Sequence, residues 1–207
     1  MKSESFLNLG AGKDILKPVG YPMEHPDKRI FKVNVDSGYH PGEVLHYTDI
    51  EKGYDAFIEK GTRATNQTHY SNINAFDFLD KCKIQFDGII MYRFMEHIGR
   101  SSLLYFIYLL STSIKQGGLL DIIVPDYSLL ARRLLKESVG SPGWENEDII
   151  LTTEFCNEPG MPHASVWTTD RAKYYLQLEK RFFVKNIETP FIFDGRDIYM
   201  RIVAERL

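Results

Sequence analysis

The sequence predicts an α/β protein: a mostly parallel sheet with helices on both faces, closed at its carboxyl end by an antiparallel hairpin. Three observations lead there. An apolar segment, Phe6 to Leu9, runs straight into Gly10-Ala11-Gly12, as a buried strand does when it ends in a tight turn. Short apolar strands then alternate with helical periodicity through the middle of the chain. Finally, two strand-like segments are joined by only Pro190 to Arg196, with the turn pair Asp194-Gly195, and such neighbours run antiparallel.

The elements follow in order. Phe6 to Leu9 is the first strand. The stretch Lys13 to Arg29 holds three prolines and many polar residues, and reads as a loop. Ile30 to Asp36 is the second strand and ends on a carboxylate. Asp49 to Lys60 predicts a short helix, because Ile50, Tyr54, Phe57 and Ile58 share a face. Gly61 to Asn72 is polar and reads as loop. Phe76 to Leu79 opens a short helical turn before the strand Phe86 to Tyr92. A long helix fits Ser101 to Lys115, with Gln116-Gly117-Gly118 as its stop. Leu119 to Val124 is the next strand, closed by Pro125-Asp126, and Ser128 to Glu137 is a helix with Leu129, Leu130, Leu134 and Leu135 as its apolar positions. Val139 to Val166, with three prolines and a charged cluster at Glu145 to Asp148, reads as an inserted lid. Thr169 caps a helix to about Lys180. The hairpin strands are Phe182 to Thr189 and Asp197 to Glu205. The expectation is one domain over residues 1–207, carrying insertions near 50–72 and 139–166.

Bulk properties narrow the function. Of 207 residues, 43% are hydrophobic and 26% charged, which is ordinary for a globular protein with a real core. The formal net charge is -3 and no basic run stands out, so a nucleic-acid partner is disfavoured. Cys82 and Cys156 lie far apart without ligand spacing, which suits a reducing compartment and singles out no metal site. The longest apolar run, Leu103 to Leu110, is eight residues, too short for a membrane span, and Met1 to Ser5 lacks the apolar stretch of a signal peptide. A cytoplasmic protein is expected.

Several residues carry candidate chemistry. Gly10 and Gly12 follow the first strand, where open parallel sheets bind ligands, and glycine there admits a close backbone approach. A plain strand-ending turn is the alternative. The third glycine of a dinucleotide fingerprint is absent, since Ile15 stands in its place, and this speaks against a nicotinamide enzyme. Asp36 can accept both vicinal hydroxyls of a ribose, or merely cap a strand end. It follows Gly10 by 26 positions, slightly more than the usual interval of about 20. Asn74, Ala75 and Phe76 either line an adenine pocket or form a helix cap followed by a core aromatic. Met91 and Tyr92 are candidates for backbone contacts to a cofactor. Glu96 and His97 either do acid–base work or orient loops by hydrogen bonding. Tyr127, His163 and Trp167 can face a substrate, although Trp167 can equally bury its ring.

These motifs together resemble the class I S-adenosylmethionine (SAM)-dependent methyltransferases. The closer likeness is to predicted methyltransferases with a Leu-Asn-Leu-Gly-x-Gly start, here Leu7 to Gly12, and an Asn-Val-Asp second strand, here Asn34 to Asp36. Their Phe-Asp-x-Ile strand leading to Glu-His appears as Phe86 to Ile89 with Glu96-His97, and their Gly-Gly turn before Val-Pro-Asp as Gly117 to Asp126. The resemblance implies a Rossmann-like, seven-stranded sheet whose last strand is antiparallel. It also implies SAM held by Asn8, Gly10, Ala11 and Gly12, with Asp36 at the ribose and Asn74 to Phe76 near the adenine. A small-molecule or glycan-related acceptor fits such families. Two departures stand out: the proline-rich stretch after the first strand, and Asn8 where an acidic residue is common. They motivate an alternative, a non-catalytic member of the fold that serves as a binding or assembly partner. If the acceptor loses a proton on attack, His97 or His163 is the expected general base.

Overall fold

The structure is a computed structural model that describes residues 2–10, 28–36, 44–59, 67–136, 163–193 and 195–207. Ala11, Gly12, most of the proline-rich stretch and residues 137–162 of the second insertion lie outside the described residues.

Seven strands are described: β1 (Lys2–Leu9), β2 (Lys28–Val35), β3 (Gln67–Ser71), β4 (Phe86–Tyr92), β5 (Ile114–Pro125), β6 (Phe182–Phe193) and β7 (Arg196–Arg206). They form one sheet in the order β3-β2-β1-β4-β5-β7-β6. The pairs β1–β2, β2–β3, β1–β4 and β4–β5 are parallel, whereas β7 runs antiparallel to both β5 and β6. The expected closing hairpin is therefore present, with its second strand inserted beside β5. The helices are α1 (Tyr47–Glu59), α2 (Ala75–Lys81), α3 (Arg100–Ser113), α4 (Tyr127–Lys136) and α5 (Thr169–Gln177). Helix α1 packs on β2, while α2, α3 and α5 touch one another in sequence. Ile50 and Phe57 of α1, Phe78 of α2, Phe106 of α3 and Leu176 of α5 join one core cluster, and Glu51 of α1 accepts the Lys83 N–H just past α2 at 2.6 Å.

Burial explains the strand composition. Leu7, Leu9, Val33, Ile89, Met91, Leu120, Ile122, Ile123 and Val124 are all inaccessible to solvent, as central parallel strands covered on both faces must be. Strand β6 is an edge, and only Phe182 and Phe191 are buried along it. Within the sheet, Arg201 of β7 grips Asp121 of β5 with two hydrogen bonds, Nε to Oδ1 at 3.0 Å and Nη2 to Oδ2 at 2.7 Å. A smaller cluster of Ile123, Tyr127, Leu130, Phe191, Ile198 and Tyr199 seats α4. That helix begins where Asp126 Oδ1 accepts the backbone N–H groups of Ser128 (3.0 Å) and Leu129 (3.2 Å), so Val124-Pro125-Asp126 is a strand end fused to a helix cap.

Four expectations are corrected. The polar stretch Gly61 to Asn72, read as loop, contains β3. Gln116-Gly117-Gly118 does not end a helix: α3 stops at Ser113, and the glycines sit in β5 at an irregularity in its pairing with β4. Gly117 has φ of 75°, which explains the residue. The cap of α5 is Thr168, not Thr169, its hydroxyl accepting the Arg171 N–H. That helix ends at Gln177 and continues only as a 3-10 turn over Leu178–Lys180.

Candidate active site

Topology decides where a ligand can sit. From β1 the chain passes to β2 and β3 on one side, then returns to β4 on the other. Open parallel sheets bind ligands outside the carboxyl ends of the strands at such a reversal. Gly10 after β1 and Arg93-Phe94 after β4 border it.

Gly10 has φ of 70°, and its N–H donates to the Val35 carbonyl at 2.9 Å. A β-carbon built on it would lie 2.3 Å from Phe94 Cδ2. Both the backbone angle and the aromatic neighbour demand glycine. Leu9 pairs with Val35, so Gly10 stands next to Asp36, whose N–H is anchored to the Ser71 carbonyl at 3.0 Å. The two residues singled out for backbone approach and for ribose binding are thus neighbours on the carboxyl edge of β1 and β2. Asn8 donates its Nδ2 to Asn34 Oδ1 at 3.1 Å and so belongs to a side-chain pair across the same two strands.

The other cofactor candidates divide. Asn74 Oδ1 accepts the Phe76 N–H at 2.9 Å and caps α2. Ala75 is buried, and the Phe76 ring packs 4.8 Å from that of Phe106. Met91 is wholly buried, which leaves its backbone as the part that can meet a ligand. Tyr92 donates its hydroxyl to Asp121 Oδ2 at 3.4 Å and turns its ring edge to Phe193. Arg93, at φ of 53°, turns the chain sharply out of the sheet.

Beyond Phe94, Met95–His97 forms a 3-10 turn, and the segment after the second insertion is stitched to it. The N–H groups of Ala164 and Ser165 donate to the Glu96 carbonyl at 2.8 and 3.0 Å, and Ser165 Oγ donates to the Met95 carbonyl at 3.0 Å. Trp167 corrects one expectation. It is 1% exposed, its Nε1 donates to Ser165 Oγ, and its carbonyl accepts the Tyr127 N–H. It holds the segment in place rather than presenting a face to substrate. Tyr127 is also largely buried, with its hydroxyl 2.5 Å from His163 Nδ1.

The result is a cluster. The His97 and His163 rings meet edge to face with centroids 5.0 Å apart. One donor atom from each of Glu96, His97 and His163 lies within 4.8 Å of the other two. His163 is pulled down from 6.5 to about 4, first by burial and then by the charges of His97 and Arg93. Such an imidazole stays neutral at physiological pH, one ring nitrogen carrying a proton and the other a free lone pair. Sequence reasoning named His97 and His163 as alternative general bases and left Glu96, with His97, between acid–base work and loop orientation. It missed Phe94 as the partner of Gly10, for which an aromatic after a strand is no signal.

No protein-family model matches the chain, and no curated protein matches it. Solved structures do. The N-methyltransferase NodS from Bradyrhizobium japonicum WM9, in complex with S-adenosyl-L-homocysteine (SAH), aligns at a TM-score of 0.52 and 11% identity, over 98% of this chain and 78% of its own. A SAM-dependent methyltransferase from Clostridium acetobutylicum ATCC 824 aligns at 0.52 and 10% identity, over 98% and 83%. One from Methanosarcina mazei aligns at 0.54 and 14% identity, over 99% and 93%. The chain has the Rossmann-like fold of the class I methyltransferases. No helix among the described residues is long and apolar enough to cross a membrane.

Proposed function

We propose that this chain is a SAM-dependent methyltransferase acting on a small-molecule acceptor, with glycan-related acceptors as the first class to test. One observation carries the reading. The strand order, with β7 antiparallel between β5 and β6, brings Gly10 and Asp36 together at the reversal point of the sheet.

The residues present fit the cofactor. Gly10 carries no side chain of its own, and the Phe94 ring fills the place a β-carbon would take, so a ligand would meet this turn through its backbone. Asp36 supplies a carboxylate that accepts ribose hydroxyls. The backbone leaving β4 at Met91 and Tyr92, and the Asn74–Phe76 turn, would complete the cradle. SAM supplies an electrophilic methyl group on a sulfonium.

What the chain itself contributes is placement. Holding an acceptor atom in line with that methyl group supplies much of the rate of a direct displacement. Tyr127 and the histidine pair lie beside the same strand ends and would position the acceptor. A base works best with a pKa near the working pH, and burial first of all pulls His163 down to about 4, which makes it a weak proton acceptor.

The test is transfer itself. Protein incubated with methyl-labelled SAM and a panel of hydroxyl- and amine-bearing sugars and small metabolites should release SAH above the protein-free rate with at least one acceptor class. SAM binding without turnover across the panel would instead favour the non-catalytic alternative.

A further inference from the structure

We infer that Glu96, His97 and His163 form a binding site for a divalent first-row metal ion, held by one carboxylate and two imidazoles with the remaining positions open.

The donor set comes first. One carboxylate oxygen and two imidazole nitrogens, without thiolate, suit Zn2+, Co2+, Mn2+ or Fe2+. Three protein ligands with open positions are the arrangement of metal sites that also take water or a substrate atom. Spacing agrees with this. Around an ion with bonds of about 2.1 Å, tetrahedral ligand atoms stand roughly 3.4 Å apart. The three donors already lie within 4.8 Å of one another, so side-chain rotations of about an ångström close the site.

The surroundings are built as a metal site requires. Glu96 is 0% exposed and half-buried imidazoles flank it, so a captured ion would be shielded from bulk water. The two ligand-bearing segments are far apart in sequence but are locked together by the bonds from Ala164 and Ser165 to the Glu96 carbonyl. Tyr127 is the outer partner. Its hydroxyl sits at His163 Nδ1, which fixes the ring and leaves Nε2 for an ion, with Nδ1–H then donating to the tyrosine oxygen. The turn carrying Glu96 and His97 begins at Phe94, the residue packed on Gly10. An ion here would thus adjoin the strand-end crevice. A hydroxyl of the acceptor in an open position would be oriented and made more acidic. That last consequence rests on the methyl-transfer reading; the metal site does not.

Untagged protein stripped with a chelator and titrated with Co2+ in the absence of SAM tests the site directly. The wild-type protein should develop a saturable visible absorption at about one Co2+ per chain, displaced by Zn2+. Glu96→Gln, His97→Ala and His163→Ala should each weaken Co2+ binding at least tenfold, and Tyr127→Phe by about tenfold. Circular dichroism establishes that each variant is folded; should Glu96→Gln fail to fold, the two histidine variants still decide the matter. A wild-type protein that binds no Co2+ saturably, or folded variants that bind it unchanged, would overturn the proposal. Co2+ binding by a protein that takes up neither SAM nor SAH would uphold the metal site and remove the methyl-transfer reading.

Discussion

Phe94 is packed so tightly on Gly10 that a β-carbon there would come within 2.3 Å of its ring. This contact joins the ends of β1 and β4 at the reversal point of the sheet. Gly10→Ala should therefore lower the melting temperature by about 5 °C or more, from the left-handed backbone and the collision together. Adding Phe94→Ala should restore only part of the loss, because it clears the collision and leaves φ at 70°. Thermal melts of the wild type and the two variants check this; full recovery in the double variant would show that backbone strain contributes nothing.

Asp36 faces the same edge. Asp36→Asn should leave the melting temperature within a few degrees of wild type and weaken SAH binding roughly tenfold to a hundredfold, the loss of a charge-assisted hydrogen bond worth about 1.5–3 kcal/mol. Calorimetry on the two proteins measures it, and equal affinities would remove Asp36 from the cofactor site.

The Arg201–Asp121 pair makes a separate prediction about stability. The Asp121 side chain is 3% exposed and that of Arg201 21%. Asp121→Ala leaves an arginine without its carboxylate inside the sheet and should cost about 3–5 kcal/mol. Replacing both, with Asp121→Leu and Arg201→Met, should cost clearly less. Denaturant unfolding that shows the double variant as the less stable one would contradict this view of the pair.

The polar edge of the sheet is pH-sensitive. His69 on β3 packs 4.9 Å from the Phe31 ring, and burial lowers its pKa below the ordinary 6.5. The unfolded chain then binds the proton more readily than the folded one. Stability from this residue is complete above about pH 6.5 and declines as the pH falls toward the lower folded value. His69→Gln should melt with a smaller decline between pH 7.5 and pH 5 than wild type. Parallel curves for the two proteins would place the acid sensitivity elsewhere.

Much of the fold was readable because central strands advertise themselves. Leu7 and Leu9, Ile89 to Met91 and Ile122 to Val124 are buried from both sides, and that produces continuous apolar runs. Strand β3 escaped because it is the outermost strand of the sheet, met beyond β2, among the described residues, by just an isolated bridge from Val44, and there Gln-Thr-His-Tyr-Ser needs no apolar alternation. The start of β5 was masked by Gly117 and Gly118, whose turn-like composition serves an irregular strand pairing. The neighbours Gly10 and Asp36, proposed for the cofactor, were legible because both lie within a few residues of strand ends. The Glu96–His97–His163 cluster was not. His163 follows His97 by 66 positions, and the hydrogen bonds of Ala164 and Ser165 to the Met95 and Glu96 carbonyls help bring it back. Trp167 stayed open between a substrate contact and a buried ring for a related reason: an aromatic near an insertion fits either until its burial is known.

The proposed cofactor site is the strand-end region between Gly10, Asp36 and Phe94. Calorimetric titration of SAH into the wild-type protein tests it most directly, with Gly10→Val as the blocked control. Saturable binding at about one site per chain with micromolar affinity, lost in Gly10→Val, is the predicted result, corresponding to about 8 kcal/mol. Absence of binding to the wild-type protein at millimolar SAH, or equal binding to a folded Gly10→Val variant, would contradict it.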